Sequence, residues 1–163
     1  MMPLTDKRKQ TFLIGLISDT HGYLDATALE VFTQTDLIIH AGDIGKPEIL
    51  QTLNSVAPVK AVRGNMDYGT WASALPATEM ISIGEIMIYA LHDMQKLDLD
   101  PAAGGISTVI SGHSHQPRLE KNNGILYLNP GSASQPRYNH PATVALLKVS
   151  GTAVEARIIE LAM

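Results

Sequence analysis

Seven side chains that can bind metal ions recur at regular spacing. They stand in this order: Asp19, His21, Asp43, Asn65, His92, His113 and His115. From the first aspartate through the second aspartate, the asparagine and the next two histidines, the gaps are 24, 22, 27 and 21 residues, each about one strand with its connection. Oxygen and imidazole donors without thiolates suit manganese, iron, zinc or nickel. Seven donors exceed the needs of one catalytic ion with an open position, which predicts two ions sharing a carboxylate.

Composition limits the chemistry to these residue types. The 163-residue chain has no cysteine, which excludes zinc fingers, iron–sulfur clusters, thiol nucleophiles and disulfide scaffolds. A hydrophobic content of 45% predicts a folded globular protein, because disordered chains are poor in apolar residues. Twelve basic residues against 16 acidic ones give a net charge of -4, which argues against a long nucleic acid as partner.

The first half of the chain alternates apolar runs with amphipathic segments, a pattern typical of a parallel sheet flanked by helices. Strands are predicted at residues 11–18, 37–40 and 59–62, and helices at 24–35 and 47–57. Asp25 is a candidate N-cap of the first helix, and Pro47 suits the first turn of the second.

From about residue 80 the pattern changes to β-hairpins. Paired strands are predicted at 80–83 with 86–91, at 118–121 with 125–128, and at 144–149 with 154–159, with another buried strand at 108–111. Residues 69–78 and 98–105 are predicted to be loops or short helical turns. Since the candidate ligands follow predicted strands, we expect them to meet at one edge of the sheet, outside the carboxyl ends of its strands.

Each candidate ligand has a structural alternative when it is taken alone. Asp19 and Asp43 have the character of cap or turn residues, and His92 that of a buried core histidine. The pair in Gly112-His113-Ser114-His115 is harder to explain structurally, because two histidines in a glycine-flanked loop can converge on one ion. Coincidence is the weaker explanation.

The motifs, in chain order, are Asp19-x-His21, Gly42-Asp43, Gly64-Asn65-Met66-Asp67, His92, Gly112-His113-Ser114-His115 and Asn129-Pro130-Gly131-Ser132. Together they resemble the metallophosphoesterase (calcineurin-like) superfamily, specifically its small prokaryotic single-domain phosphodiesterases. The resemblance implies an α/β (α+β) fold, a four-layer αββα sandwich of two mixed β-sheets flanked by helices. It also implies that Asp19, His21 and His115 hold one metal ion, that Asn65, His92 and His113 hold the second, and that Asp43 bridges them.

Two positions depart from the family pattern. Met66 stands where many members have a histidine that assists the leaving group, and methionine cannot transfer a proton. This predicts poor activity with alkoxide leaving groups. Asp93 stands where glycine commonly follows the ligand histidine, and we expect it to solvate a loop in preference to bonding a ligand. The pair His92-Asp93 also matches helical HD-type phosphohydrolases, but the preceding run is strand-like.

Three further residues are candidates for supporting catalysis, each with a structural alternative. His40, three residues before Asp43, supports a ligand or packs in its strand. Asp67 orients a neighbour of Asn65 or fixes the turn. Arg63 contacts phosphate or forms a surface salt bridge.

The predicted activity is hydrolysis of a small phosphate ester, most of all a phosphodiester, by a hydroxide bridging two divalent ions. Manganese is favoured, with iron, zinc, nickel or cobalt as alternatives, and Asp43, Asn65 and His92 are the principal catalytic candidates. One rival is a non-catalytic metal-binding scaffold for protein interactions, like a eukaryotic trafficking protein of similar fold that has lost catalysis. A nuclease is the weaker rival, because nucleases with these motifs need more basic surface.

Residues 1–10 are expected to be a flexible tail and residues 11–163 a single metallophosphoesterase domain. The basic and apolar start imitates a secretory signal, but no small-residue cleavage site follows it, so a cytoplasmic location without a membrane partner is expected. A homodimer is favoured from family likeness alone.

Overall fold

The computed structural model describes residues 10–134 and 140–162, so most of the expected tail lies outside the described residues. Its elements, in chain order, are β1 (Thr11–Ile17), α1 (Ala26–Val31), β2 (Leu37–His40), α2 (Pro47–Asn54), β3 (Val59–Ala61), α3 (Thr70–Ser73), β4 (Thr78–Ile83), β5 (Ile86–Leu91), a 3₁₀ turn (Met94–Lys96), β6 (Thr108–Ile110), β7 (Arg118–Asn122), β8 (Ile125–Asn129), β9 (Thr143–Ser150) and β10 (Ala153–Glu160). No helix in the described part of the chain is long and apolar enough to cross a membrane.

The strands form two mixed five-stranded sheets. The first has the order β10-β9-β1-β2-β3, with β1, β2 and β3 parallel and β9 antiparallel to β1. The second has the order β4-β5-β6-β8-β7, with a parallel centre of β5, β6 and β8 and an antiparallel strand at each edge. The predicted two-sheet α/β sandwich is confirmed, as are the hairpins β4–β5, β7–β8 and β9–β10.

The main core lies between the two sheets. Side chains such as Ile14 and Leu147 from the first sheet form one buried cluster with Ile83, Ile88 and Leu128 from the second. Helices α1 and α2 cover the outer face of the first sheet. The outer face of the second sheet is covered instead by the 3₁₀ turn and the segment that continues to residue 106, which pack on strands β5, β6 and β8. This outer layer contains no α-helix, since the apolar residues there are carried by turns.

Helix α1 is shorter than the predicted 24–35. Asp25 caps it as expected, because its carboxylate accepts a hydrogen bond from Thr27 N. The helix ends at Val31, and beyond it the hydroxyls of Thr33 and Thr35 donate to the carbonyls of Glu30 and Phe32. Such bonds from side chain to backbone compete with helical geometry, which gives a physical reason for the early end. Helix α2 begins at the predicted Pro47.

Candidate metal centre

The candidate ligands come from strand ends of both sheets. Asp19 and Asp43 follow β1 and β2, and Asn65 follows β3, all in the first sheet. His21 also follows β1, whereas His92 follows β5 and the pair His113 and His115 follows β6, both strands of the second sheet. The prediction that all the ligands lie at the edge of one sheet is therefore wrong. They come from two sheets, and they converge because the parallel strands of both sheets finish at the same end of the sandwich.

The backbone is strained at the site. Among the described residues, the non-glycine positions with positive φ are Asp19 (55°), His21 (48°), Asp43 (57°), His113 (72°), His115 (64°) and Asn123 (53°). Only the last lies elsewhere, in the turn between β7 and β8. A residue held in this region costs on the order of 1–3 kcal/mol and persists only where the surroundings enforce it. Five candidate ligands share this conformation, which supports this end of the sandwich as the candidate site.

The first group of ligands is Asp19, His21 and His115. The Nε2 atoms of the two histidines lie 3.2 Å apart. Asp19 Oδ1 lies 3.4 Å from His115 Nε2 and 3.8 Å from His21 Nε2. Three ligand atoms at these separations can surround one cation.

The second group lies beside the first. His92 Nε2 is 3.3 Å from Asp43 Oδ2, and His113 Nδ1 is 3.2 Å from Asn65 Oδ1. The rings of His92 and His113 are 5.1 Å apart, edge to face, which joins the two pairs. All seven predicted ligands therefore lie at one end of the sandwich. The ligand atoms that lie closest together form two sets, Asp19 with His21 and His115, and Asp19 with Asp43 and His92, while His113 and Asn65 lie beside the second set.

The donor set fits divalent cations. Asp19 Oδ1 and His92 Nε2 are buried and have no hydrogen-bond partner among the described residues. His92 Nδ1 donates to Ala41 O at 2.8 Å, so Nε2 carries the free lone pair of the neutral ring. A buried carboxylate oxygen without a partner is costly, and a cation bound between these atoms would satisfy both.

Both aspartates are held as carboxylates. Burial alone raises the pKa of Asp19, but contacts with His115 and Ser18 outweigh burial, so the net pKa is below its usual value. Burial likewise raises the pKa of Asp43, and contacts with His92 and the Met66 N–H bring it below normal. The opposite holds for His92, where burial lowers the pKa but contacts with Asp43 and Ala41 O outweigh it. Two ionised carboxylates supply the negative charge that cations need.

Asp67 joins two loops of the site. Its Oδ2 accepts hydrogen bonds from Asp43 N at 3.0 Å and Gly64 N at 2.8 Å, and its Oδ1 accepts one from Gly45 N at 2.9 Å. The carboxylate is buried, and so are its bonds to Asp43 N and Gly64 N, whereas the bond from Gly45 N is partly buried. Asp67 thus ties the loop that carries Asp43 to the loop that carries Asn65.

His40 contacts the backbone beside Asp43. Gly42 N donates to His40 Nδ1, which leaves the proton on Nε2, and Nε2 donates to the hydroxyl of Thr20. That hydroxyl in turn donates to Ile44 O. Complete burial lowers the pKa of His40 to about 3, so the ring is neutral at physiological pH. His40 therefore connects the loops after β1 and β2.

Arg63 and Asp93 lie at the rim. Arg63 Nη1 donates to Leu75 O, which anchors the guanidinium. Asp93 Oδ1 accepts from Gln95 N and caps the 3₁₀ turn, while Oδ2 lies 3.8 Å from His113 Nε2. Asp93 was expected to solvate a loop, and it both caps a turn and faces a candidate ligand.

Two supporting residues, Ser18 and Asn129, were not among the predicted site residues. Ser18 donates its hydroxyl proton to Asp19 Oδ2 at 2.7 Å. Asn129 Nδ2 donates to Gly112 O and to Ser114 Oγ, which holds the loop with the two histidines. The Asn-Pro-Gly-Ser motif was a signal for Asn129, but only as family likeness. Nothing in the sequence near Ser18 indicates its contact.

A two-sheet sandwich with oxygen and imidazole donors gathered at its strand ends is the architecture of a metallophosphoesterase. The chain belongs to the calcineurin-like phosphoesterase superfamily, whose domain model matches residues 12–152.

Individual relatives agree with this class. A probable metallophosphoesterase of Methanocaldococcus jannaschii is 42% identical over 140 residues, which cover 78% of this chain and 71% of that protein. Phosphodiesterase YfcE of Escherichia coli is 28% identical over 160 residues, covering 80% of this chain and 84% of YfcE. Among solved structures, Vacuolar Protein Sorting 29 from Cryptosporidium parvum superposes with a TM-score of 0.81 at 22% identity, covering 94% of this chain and 93% of that one. This last likeness concerns the fold alone.

Proposed function

We propose that this protein is a phosphodiesterase that uses two divalent ions, with manganese the first candidate, to hydrolyse a small phosphate ester. One observation carries the proposal. Asp43 Oδ2 lies 3.9 Å from His21 Nε2 in the first ligand group and 3.3 Å from His92 Nε2 in the second. Asp19 Oδ1 also reaches both groups, at 3.8 Å from His21 Nε2 and 3.9 Å from His92 Nε2. A carboxylate that reaches both groups is what two ions about 3.5–4 Å apart require as a shared ligand, and the family resemblance assigns that position to Asp43.

The remaining ligands divide between the two ions. Asp19, His21 and His115 would hold the first, and Asn65, His92 and His113 the second. Bound divalent cations would supply Lewis-acid charge to the phosphoryl oxygens and would make a water molecule a stronger nucleophile. The two carboxylates offset part of that charge, while the neutral amide and imidazoles leave a positive potential for an anionic substrate.

The exposure of the ligands favours a small substrate bound near the surface. Asp19, Asp43 and His92 are buried at the base of the site, whereas the side chain of His113 is 45% exposed. Met66, beside Asn65, is 50% exposed and has no proton to give to a leaving group. The name of the relative YfcE supports a phosphodiester as substrate.

The substitution Asp43→Asn tests the two-ion proposal. The amide keeps the shape of the side chain, and its oxygen can still accept the bond from Met66 N, but the charged atom between the histidines is lost. We expect the variant to bind at most one ion and to lose at least 100-fold in kcat/KM on bis(4-nitrophenyl) phosphate, because a shared charged ligand is removed. Metal content is measured on purified protein with manganese, and activity in the same buffer.

Asp98→Asn is the matched control, since Asp98 is exposed and outside the ligand groups. It should keep wild-type metal content and rate. Full metal binding and full activity in Asp43→Asn would contradict the two-ion proposal. Wild-type protein that binds metal but hydrolyses none of a panel of monoesters, linear diesters and cyclic nucleotides would favour the scaffold alternative. Preference for linear DNA in that panel would favour a nuclease.

A further inference from the structure

A small cavity opens on the side of the site formed by Asn65 and His92. Its volume is about 220 Å³, and Leu91 and Ala77 provide part of its lining. Pockets that take drug-sized ligands measure roughly 300–1,000 Å³. This cavity therefore has room for one small group beside the candidate ligands Asn65 and His92.

The cavity is more basic than the chain as a whole. Arg63 and Lys96 line it against a single acid, Asp93, whereas the whole chain has a net charge of -4. The carboxylate of Asp93 is engaged with Gln95 N and faces His113. Lys96 is exposed at the end of the 3₁₀ turn, and no ion pair to it is found among the described residues. The cavity therefore favours a group that carries negative charge.

A good proton donor is missing from the described lining of this cavity. Its histidine, His92, is a candidate metal ligand, and its lining includes no second histidine to act as a general acid. His40 is buried elsewhere with both ring nitrogens in hydrogen bonds. The cavity therefore suits a leaving group of low basicity, which departs without taking a proton from the protein.

We propose that the cavity binds a phosphate on the leaving group, so that the substrate is an esterified diphosphate cleaved at its anhydride bond. The inference rests on the proposed hydrolase function and narrows its substrate class. The oxygen of water bonds to the attacked phosphorus, and the bond from that phosphorus to the bridging oxygen breaks. The electron pair stays on the bridging oxygen, which leaves within a phosphate monoester, and the protons of water pass to solvent. Lys96 pairs with the departing phosphate, which needs no proton.

Two probes separate this proposal from general diesterase activity. Symmetrical diphenyl diphosphate and 4-nitrophenyl phenyl phosphate transfer the same phenyl phosphoryl group, but only the first has a phosphate on its leaving group. Hydrolysis of both is followed by phosphorus NMR with manganese-loaded protein. The measured quantity is the ratio of kcat/KM for the diphosphate to kcat/KM for the aryl diester, because intrinsic reactivity cancels when this ratio is compared between variants.

Wild-type protein should hydrolyse both probes, and Lys96→Gln should lower the ratio by about twofold to fivefold, the scale of an exposed ion pair. Added potassium chloride should lower the wild-type ratio towards that of the variant, because salt screens an exposed pair. Lys121→Gln, on β7 at the opposite edge of the second sheet from β4, should leave the ratio unchanged.

Three results would overturn the inference while leaving the proposed function intact. These are hydrolysis of the aryl diester without the diphosphate, an unchanged ratio in Lys96→Gln, and a wild-type ratio that does not respond to salt. Hydrolysis of neither probe by metal-loaded wild-type protein would instead contradict the proposed function itself.

Discussion

At the scale of single residues, the site depends on side chains that bond backbone as much as on its candidate ligands. Asp67 accepts three backbone N–H groups with its two oxygens. Asn129 bonds the backbone of the loop after β6 through Gly112 O, and Ser18 donates to the carboxylate of the ligand Asp19 itself. These contacts offset the cost of keeping five candidate ligands at positive φ. Geometry that is enforced in this way can exist before a cation binds.

The substitution Asp67→Asn tests this support. An amide nitrogen cannot accept a hydrogen bond, so at least one of the three N–H groups, two of them buried, loses its partner. We expect a loss of about 2–4 kcal/mol in the free energy of unfolding, since each unsatisfied buried group costs about 1–3 kcal/mol. Urea unfolding of metal-free protein measures this loss, and calorimetric titration with manganese should show weaker binding. Equal stability of Asp67→Asn and the exposed control Asp98→Asn would show that the hydrogen bonds accepted by Asp67 do not stabilise the fold.

At the scale of elements, turns were more predictable than sheet partners. Asn122-Asn123-Gly124 and Gly84-Glu85 indicated hairpins because their conformational preferences are local, and both hairpins form. Local sequence does not state which distant strand lies alongside, so the parallel pairs β5–β6 and β6–β8 were not predicted. The insertion of β9 between β1 and β10 is equally non-local.

The loops after β2 and β3 pack so closely that the position of Gly64, in the second of these loops, leaves no space for a side chain. A Cβ on Gly64 would lie 2.1 Å from Asp43 N and 2.2 Å from Asp43 Oδ1, distances that force the backbone to move. We expect Gly64→Ala to lower the free energy of unfolding by about 1–3 kcal/mol, as overpacking does, and to weaken manganese binding at least tenfold. Unfolding in urea and calorimetry measure the two effects.

Gly104→Ala is the control for that substitution, because its Cβ would meet nothing nearer than Ile106 Cδ1 at 3.5 Å. It should bind manganese like the wild type. Normal manganese affinity in Gly64→Ala would show that the position of Asp43 does not depend on this contact.

At the scale of the whole molecule, the candidate ions would connect the two sheets. Asp19, Asp43 and Asn65 extend from the first sheet, and the histidines after β5 and β6 extend from the second. A cation bound to both groups stabilises the sandwich because the unfolded chain does not bring these ligands together. Two divalent cations would also offset the net charge of -4, which explains how an acidic protein can attract a phosphate.

Manganese should therefore raise the melting temperature. A free concentration 100 times Kd stabilises by about 2.7 kcal/mol per site. Each kcal/mol shifts the melting temperature of a chain this size by roughly 2–4 °C, which predicts a rise of about 5–10 °C per site. Differential scanning calorimetry with manganese and then with excess chelator measures it. The rise should be reversed by the chelator and reduced in Asp43→Asn, and an equal rise in that variant would place the stabilising ion elsewhere.

The sequence alone determined the identity and order of the candidate ligands, because strand ends and glycine-flanked loops are local patterns. It also indicated the family, since those motifs occur together. Tertiary structure decided how the ligands divide between two sheets, how Asp67 joins two loops and where Lys96 lies beside Asn65 and His92. Those features depend on contacts between residues far apart in the chain, and burial and packing, which act only after folding, select them.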